Sequence, residues 1–152
     1  MKPIRNSAKA IIIEQGKLLL TKNIDHAGFF YLFPGGGQEP GEALKETLIR
    51  ECIEEIGCQI SMGELIFIRE YIGKNHEFSE WDSDVHQVEF YFKCVLKSGD
   101  ETAVNGKNPD SMQVDVEWVP LEKLDEIRLY PKELSKKLKA NSWAPIYLGD
   151  VN

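Results

Sequence analysis

Cysteine is scarce in this chain of 152 residues, and the three present, Cys52, Cys58 and Cys94, form no CxxC pair. An odd count without that spacing does not read as a disulfide framework or a zinc site. Cys52 and Cys94 fall inside apolar patterns, where free cysteine behaves as a small buried hydrophobe. A reducing, cytoplasmic setting is therefore expected. Histidine is equally sparse: His26, His76 and His86 have no partner at metal-ligand spacing and read as surface or hydrogen-bonded residues. Long apolar runs are missing, since no stretch approaches the ~20 residues that span a bilayer. The apolar stretch Ala10 to Ile13 is too short for a signal-peptide core, so no membrane association is expected. Positive charge is in deficit. A net charge of -7 argues against stable nucleic-acid binding or attachment to an anionic membrane surface. It leaves room for a small anionic substrate, because a bound divalent cation reverses the local field. Repeats, low-complexity tracts and Pro/Gly/Ser linkers are absent too, so one domain over residues 1–152 is expected.

What is present is an ordinary globular composition, 42% hydrophobic and 28% charged, enough to build a core. SAKAIIIE and KLLLTKN, joined by Gln15-Gly16, read as a hairpin. FFYLFP reads as a short aromatic strand stopped by Pro34, and GGGQEPGE as a glycine-rich loop. Glu42 to Ile56 follows as a helix of good formers, with Gly57 as its C-terminal stop. ELIFIREYIG, DVHQVEFYFKCVL and VDVEWVPL are rich in β-branched and aromatic residues and read as strands. KNHEFSEWDSD and KSGDETAVNGKNPDS between them are polar and read as loops. LEKLDEI gives a short helix and PKELSKKLKA a longer one. Strands around one early helix, with helices at the end, make an α+β domain with a mixed sheet covered by helices.

The early helix poses an electrostatic problem. At ~100° per residue, Leu48, Ile49, Cys52, Ile53 and Ile56 form an apolar arc suited to packing on a sheet. Glu51, Glu54 and Glu55 crowd a neighbouring arc, where like charges at helical neighbour spacing cost roughly 0.2–0.5 kcal/mol each. They also sit at the end where the helix dipole disfavours negative charge. A solvated acidic face is the common explanation for such a fragment. The glycine-rich loop entering the same helix shifts the balance, because glycine lets a polyphosphate approach the backbone closely. Mg²⁺ prefers carboxylate oxygens and is often held jointly with substrate phosphates.

Gly36, Glu42 and the run Arg50-Glu51-Cys52-Ile53-Glu54-Glu55-Ile56-Gly57-Cys58 resemble the Nudix box. Every charged and glycine position of that pattern is filled, and its two apolar positions are the cysteines Cys52 and Cys58. The resemblance implies the Nudix fold, a mixed curved β-sheet sandwiched between α-helices. It implies hydrolysis of the diphosphate linkage in a nucleoside diphosphate joined to another group. Carried over by position, Glu51, Glu54 and Glu55 would coordinate Mg²⁺ or Mn²⁺, with a backbone carbonyl at Gly35 or Gly36. Arg50 would orient the carboxylates and Glu42 would pair with it, while Gly35 and Gly37 would approach the substrate. Glu51 is the first choice for the base that takes a proton from water. Glu89 and Glu70 are alternatives at strand positions, where glutamate usually faces solvent.

Tyr31, Phe33, Tyr71 and Trp81 are candidates to stack a nucleobase. Trp81 is favoured because its polar loop does not demand burial; it would line the substrate pocket or a homodimer contact. Specificity is expected to reside in the loops Gly73 to Asp84 and Lys97 to Met112. A nucleotide sugar such as ADP-ribose, a nucleoside triphosphate and a dinucleoside polyphosphate all remain open as substrates. A non-catalytic domain that senses nucleotides or binds protein is the rival reading, and the intact glutamates speak against it.

Overall fold

The computed structural model describes residues 2–97, 106 and 111–152, so most of the Lys97 to Met112 loop lies outside the described residues. The elements are β1 (Arg5–Ile11), β2 (Ile13–Glu14), β3 (Lys17–Asp25), β4 (Gly28–Leu32), β5 (Gly35–Gly37), α1 (Leu44–Ile56) and β6 (Ile60–Ile72). Then follow α2 (Ser79–Asp82), β7 (His86–Leu96), β8 (Gln113–Pro120), β9 (Leu129–Tyr130), α3 (Lys132–Lys139) and β10 (Tyr147–Asp150). Single 3-10 segments occupy Gly73–Asn75 and Leu121–Glu126, the second where a short helix is expected. Among the described residues no helix is long and apolar enough to cross a membrane.

The strands form two sheets rather than one. The first has the order β10-β6-β7-β1-β5, and the second is built on β3, which pairs with β2, β4 and β8, with β9 beyond β4. In the first sheet β1 runs parallel to β7, and β10 runs parallel to β6. The hairpin expected at the start survives only at its tip. There Ile13 and Glu14 face Leu18 and Lys17, and Gln15 and Gly16, both at positive φ, make the primed turn that suits strand twist. Upstream the chain leaves this partner for β7 and β5. The reason is burial on both faces: Ala8, Ala10 and Ile12 join one core cluster and Ile11 the other. A strand apolar on both sides needs cover on both sides, which a two-stranded hairpin cannot give.

Helix α1 packs Leu48, Cys52 and Ile56, all fully buried, against Ala8, Ala10 and Phe92 of the first sheet. The second cluster joins Phe67 and Tyr91 to Leu18, Leu20, Leu134 and Leu138, so α3 and the second sheet cover the opposite face. All three cysteines are buried. Burial pushes the Cys94 thiol up to about 12, consistent with inert core packing. The helix begins two residues later than the sequence implies, at Leu44, with the Ala43 N–H bonded to the Glu46 carboxylate at 3.2 Å. Glu42 stays outside it because its carboxylate is engaged by the Glu39 N–H and the Thr47 hydroxyl. Gly57 ends α1 at φ 68, the left-handed geometry glycine adopts freely. Ile53, expected in the apolar arc, is instead 41% exposed. Leu48→Ala should therefore destabilise by about 2–5 kcal/mol, and Ile53→Ala far less, as read from urea unfolding midpoints.

Candidate active site

The polar face of the first sheet is set by strand alternation. Arg5, Ser7 and Lys9 of β1 point away from α1, and in register beside Arg5 and Ser7 lie Gln87 and Glu89 of β7. Arg69 and Tyr71 of β6 stand opposite Glu89 and Gln87. Glycine strand β5 closes the edge, with Gly37 beside Ser7 and Gly35 beside Lys9. These residues line a cavity of about 680 Å³ together with Glu51 and Glu55 of α1.

Helix α1 lies on the other face of the sheet, so its carboxylates must reach the cavity past β5. Absent side chains make that possible. The Gly35 N–H donates to Glu55 Oε1 at 2.9 Å, and a Cβ on Gly36 would stand 2.5 Å from the Glu51 carboxyl carbon. A Cβ on Gly35, which has φ +132, would strike the Ala8 carbonyl. Glu55 is only 3% exposed. Glu51 and Glu55 face the cavity; Glu54 is not among its lining residues.

Arg50 ties the box together. Its Nε and Nη2 donate to the two Glu42 oxygens at 2.8 and 2.9 Å. Nη1 donates to Glu51 at 3.0 Å and reaches Glu54 at 3.5 Å, while Nη2 also meets the Gly37 carbonyl at 3.1 Å. The Arg50 guanidinium, followed by the Glu39 N–H, holds the Glu42 carboxyl down at about 2.

Glu89 is buried, against the expectation that a strand glutamate faces solvent. Arg69 Nε and the Tyr91 hydroxyl both donate to its Oε1 at 2.6 Å. Burial would raise this carboxyl, but Arg69, Lys9 and Tyr91 outweigh it and hold it below its ordinary range. Arg69 in turn donates to the Val151 carbonyl beyond β10. Glu70 is turned to the other face, bonded to His86 and Tyr147, and is no candidate base.

Part of the cavity wall is aromatic. Phe30, Phe78, Trp81 and Tyr130 line it with His26. Trp81 lies on α2, within the segment expected to be loop, 64% exposed and with its ring 6.0 Å from that of His26. Arg128 sits over Phe30 and Tyr130 and pairs with Asp25. Tyr71 lines the same cavity, whereas Tyr31 and Phe33 belong to the core. Sequence reasoning missed Arg5, Lys9, Arg69 and Arg128. The signal available for the first two was the period-two spacing of polar residues in RNSAK.

Among the described residues no three acids, histidines or cysteines converge as a ready-made metal cage. The donors still fit Mg²⁺ or Mn²⁺. Hard carboxylate oxygens from Glu51 and Glu55 meet at an open glycine edge, and Mg²⁺ commonly uses one or two carboxylates with phosphates completing its shell.

Glu51 and Glu55 of one helix thus reach past a bare strand into a cavity that aromatic side chains also line, on an α+β scaffold. A family model of the NUDIX domain matches residues 3–140, and the chain belongs to that family, with the Nudix fold and a hydrolase's role. The nucleoside triphosphatase NudI of Salmonella heidelberg (strain SL476) is 30% identical over 79% of this chain and 82% of its own length. That of Salmonella typhimurium is 31% identical over the same shares. A NUDIX hydrolase from Nitrosomonas europaea superposes with TM-score 0.70 at 20% identity, covering 95% of this chain and 94% of its own. An ADP-ribose pyrophosphatase from Streptococcus suis gives 0.62 at 16% identity, covering 97% and 98%.

Because Glu42 is held below its ordinary 4.5 at about 2, its pairing stabilises the fold above that ordinary value. The contribution fades as pH falls towards 2. Wild type should unfold at higher urea than Glu42→Gln at pH 6, and the gap should shrink at pH 3. A gap unchanged with pH would contradict this role.

Proposed function

We propose that the protein hydrolyses the phosphoanhydride of a nucleotide in a metal-dependent reaction at the glycine edge. The observation that carries this reading is that Glu51, Glu55 and the backbone of Gly35 to Gly37 face one cavity that aromatic rings also line. Among substrates, the relatives named nucleoside triphosphatase support a nucleoside triphosphate.

Glu51 and Glu55, with Glu54 and the Gly36 carbonyl, are the residues proposed to hold Mg²⁺ or Mn²⁺. When bound, such a cation neutralises phosphate charge and acidifies water. Glu51 accepts the proton of the attacking water. The water oxygen bonds to phosphorus as the anhydride P–O bond breaks, and the departing phosphate keeps the electron pair. Arg50 fixes the Glu51 carboxylate and ties it to Glu42 and Gly37. Trp81 and its aromatic neighbours hold the nucleobase by stacking, worth about 1–3 kcal/mol per base.

Two measurements test this. Mg²⁺ should raise the melting temperature of wild type, since a ligand of the folded state stabilises it by mass action, and the double variant Glu51→Gln/Glu55→Gln should lose that response. In a screen of nucleotides with Mg²⁺, reading phosphate and pyrophosphate release, Glu51→Gln should cut turnover by a factor on the order of 10²–10⁴. Glu89→Gln should retain more activity but unfold more easily, because it weakens a buried ion pair. The reverse ranking of activity would place the base on β7.

A further inference from the structure

Arginines in an acidic protein normally find carboxylates, and those of this cavity do, with one exception. Arg69 is bonded to Glu89 and Arg128 to Asp25, and nearby Arg50 is bonded to Glu42 and Glu51. Arg5 lines the same cavity. Among the described residues its guanidinium has no ion pair or hydrogen bond. Carboxylates are close at hand in that cavity, yet the guanidinium lies against the Cα of Gly37, where any Cβ would collide with it. It is an open, five-donor fork at the end of the glycine edge.

The surroundings indicate what it is open to. A second cavity of about 770 Å³ adjoins the first, and Arg5 and Gln87 line both. Its wall also holds Lys2, paired with Asp84, Asn6, which donates to Gln38, and Gln38, which donates to the Glu42 carbonyl, beside the acids Glu39 and Glu42. Among the described residues Arg5 is thus its uncommitted cation. Among the described residues that line it, His86 carries the only aromatic ring, and that ring is held by Glu70 at 2.9 Å. A second nucleobase would find no stacking platform there. Free phosphates would find a guanidinium suited to bidentate contact.

Resting on the assignment of the glycine edge to the phosphate chain, we propose that Arg5 is a substrate-binding, specificity-determining residue. It grips the terminal phosphates of a nucleoside triphosphate, which run over Gly37 into the second cavity. The nucleoside stays at the aromatic end. The preferred substrate then carries free phosphates beyond the cleaved bond rather than a sugar or a second nucleoside.

The test compares wild type with Arg5→Ala, Arg5→Lys and Gly37→Ala, the last displacing the guanidinium without removing its charge. Binding of inorganic tripolyphosphate in Mg²⁺ is measured by calorimetry, and steady-state kinetics use a nucleoside triphosphate and a nucleoside diphosphate sugar. Arg5→Ala and Gly37→Ala should weaken tripolyphosphate binding and raise KM for the triphosphate on the order of tenfold to a hundredfold. With Arg5→Ala the sugar-linked substrate should be little affected, and Arg5→Lys should recover part of the loss. Wild-type tripolyphosphate binding in Arg5→Ala, no tripolyphosphate binding by wild type, or equal loss for both substrates would overturn the proposal. If wild type hydrolyses no nucleotide but binds tripolyphosphate through Arg5, the hydrolytic reading fails and the role of Arg5 stands. If wild type turns over nucleotides and Arg5→Ala matches it in binding and kinetics, hydrolysis stands and the role of Arg5 fails.

Discussion

One guanidinium holds three pieces of backbone in a single arrangement. Arg50 joins the Glu42 turn, the Gly37 carbonyl of β5 and the acids of α1. Without it, Glu51 and Glu54 would repel one another on the helix surface, and the glycine strand would lose a tether to α1. The bidentate bond to Glu42 matters most, because a planar fork gripping a carboxylate fixes orientation as well as distance. Acids that are unfavourable for helix stability are thereby kept aligned along the sheet edge.

The second constraint is the bareness of β5. Helix and cavity lie on opposite faces of the first sheet, and only a strand without side chains lets carboxylates pass between them. Gly35 does more than make room: its N–H satisfies the buried Glu55 carboxylate. A buried acid without such a donor would cost several kcal/mol or take up a proton. The same bareness leaves the Gly37 surface open to the Arg5 side chain from β1.

Much of this was legible in the sequence because it is local. The ExxEE spacing, Arg50, Glu42 and the glycines all lie within a short stretch, where helical geometry decides which side chains meet. The partners of β1 were not legible. From Ser7 onward it resembles one arm of a hairpin, and only the burial of Ala8 and Ile11 on opposite faces reveals a strand in the middle of a sheet. Glu89 was misjudged for the same reason: alternation places it on a definite face, but the face became buried only when Arg69 came to lie opposite. Strand β10 escaped notice because four residues containing Gly149, in a bulged register, carry no periodic signal. The loop carrying Trp81 is a helical turn fixed by tertiary contacts such as Tyr71 to Asp82, which no local pattern encodes.

The two ends of the cavity also differ in how far apart along the chain their parts lie. The acidic end is tied by Glu42 to Arg50, 8 residues apart, whereas Asp25 and Arg128, which close the aromatic end, are 103 residues apart. Loop-closure entropy grows with the logarithm of that separation, a difference of about 2 kcal/mol between the two closures. The acidic end can thus form early from local contacts, while the aromatic end waits for nearly the whole chain to condense. Partial opening of the native state follows the same asymmetry, loosening the aromatic wall before it disturbs the carboxylates.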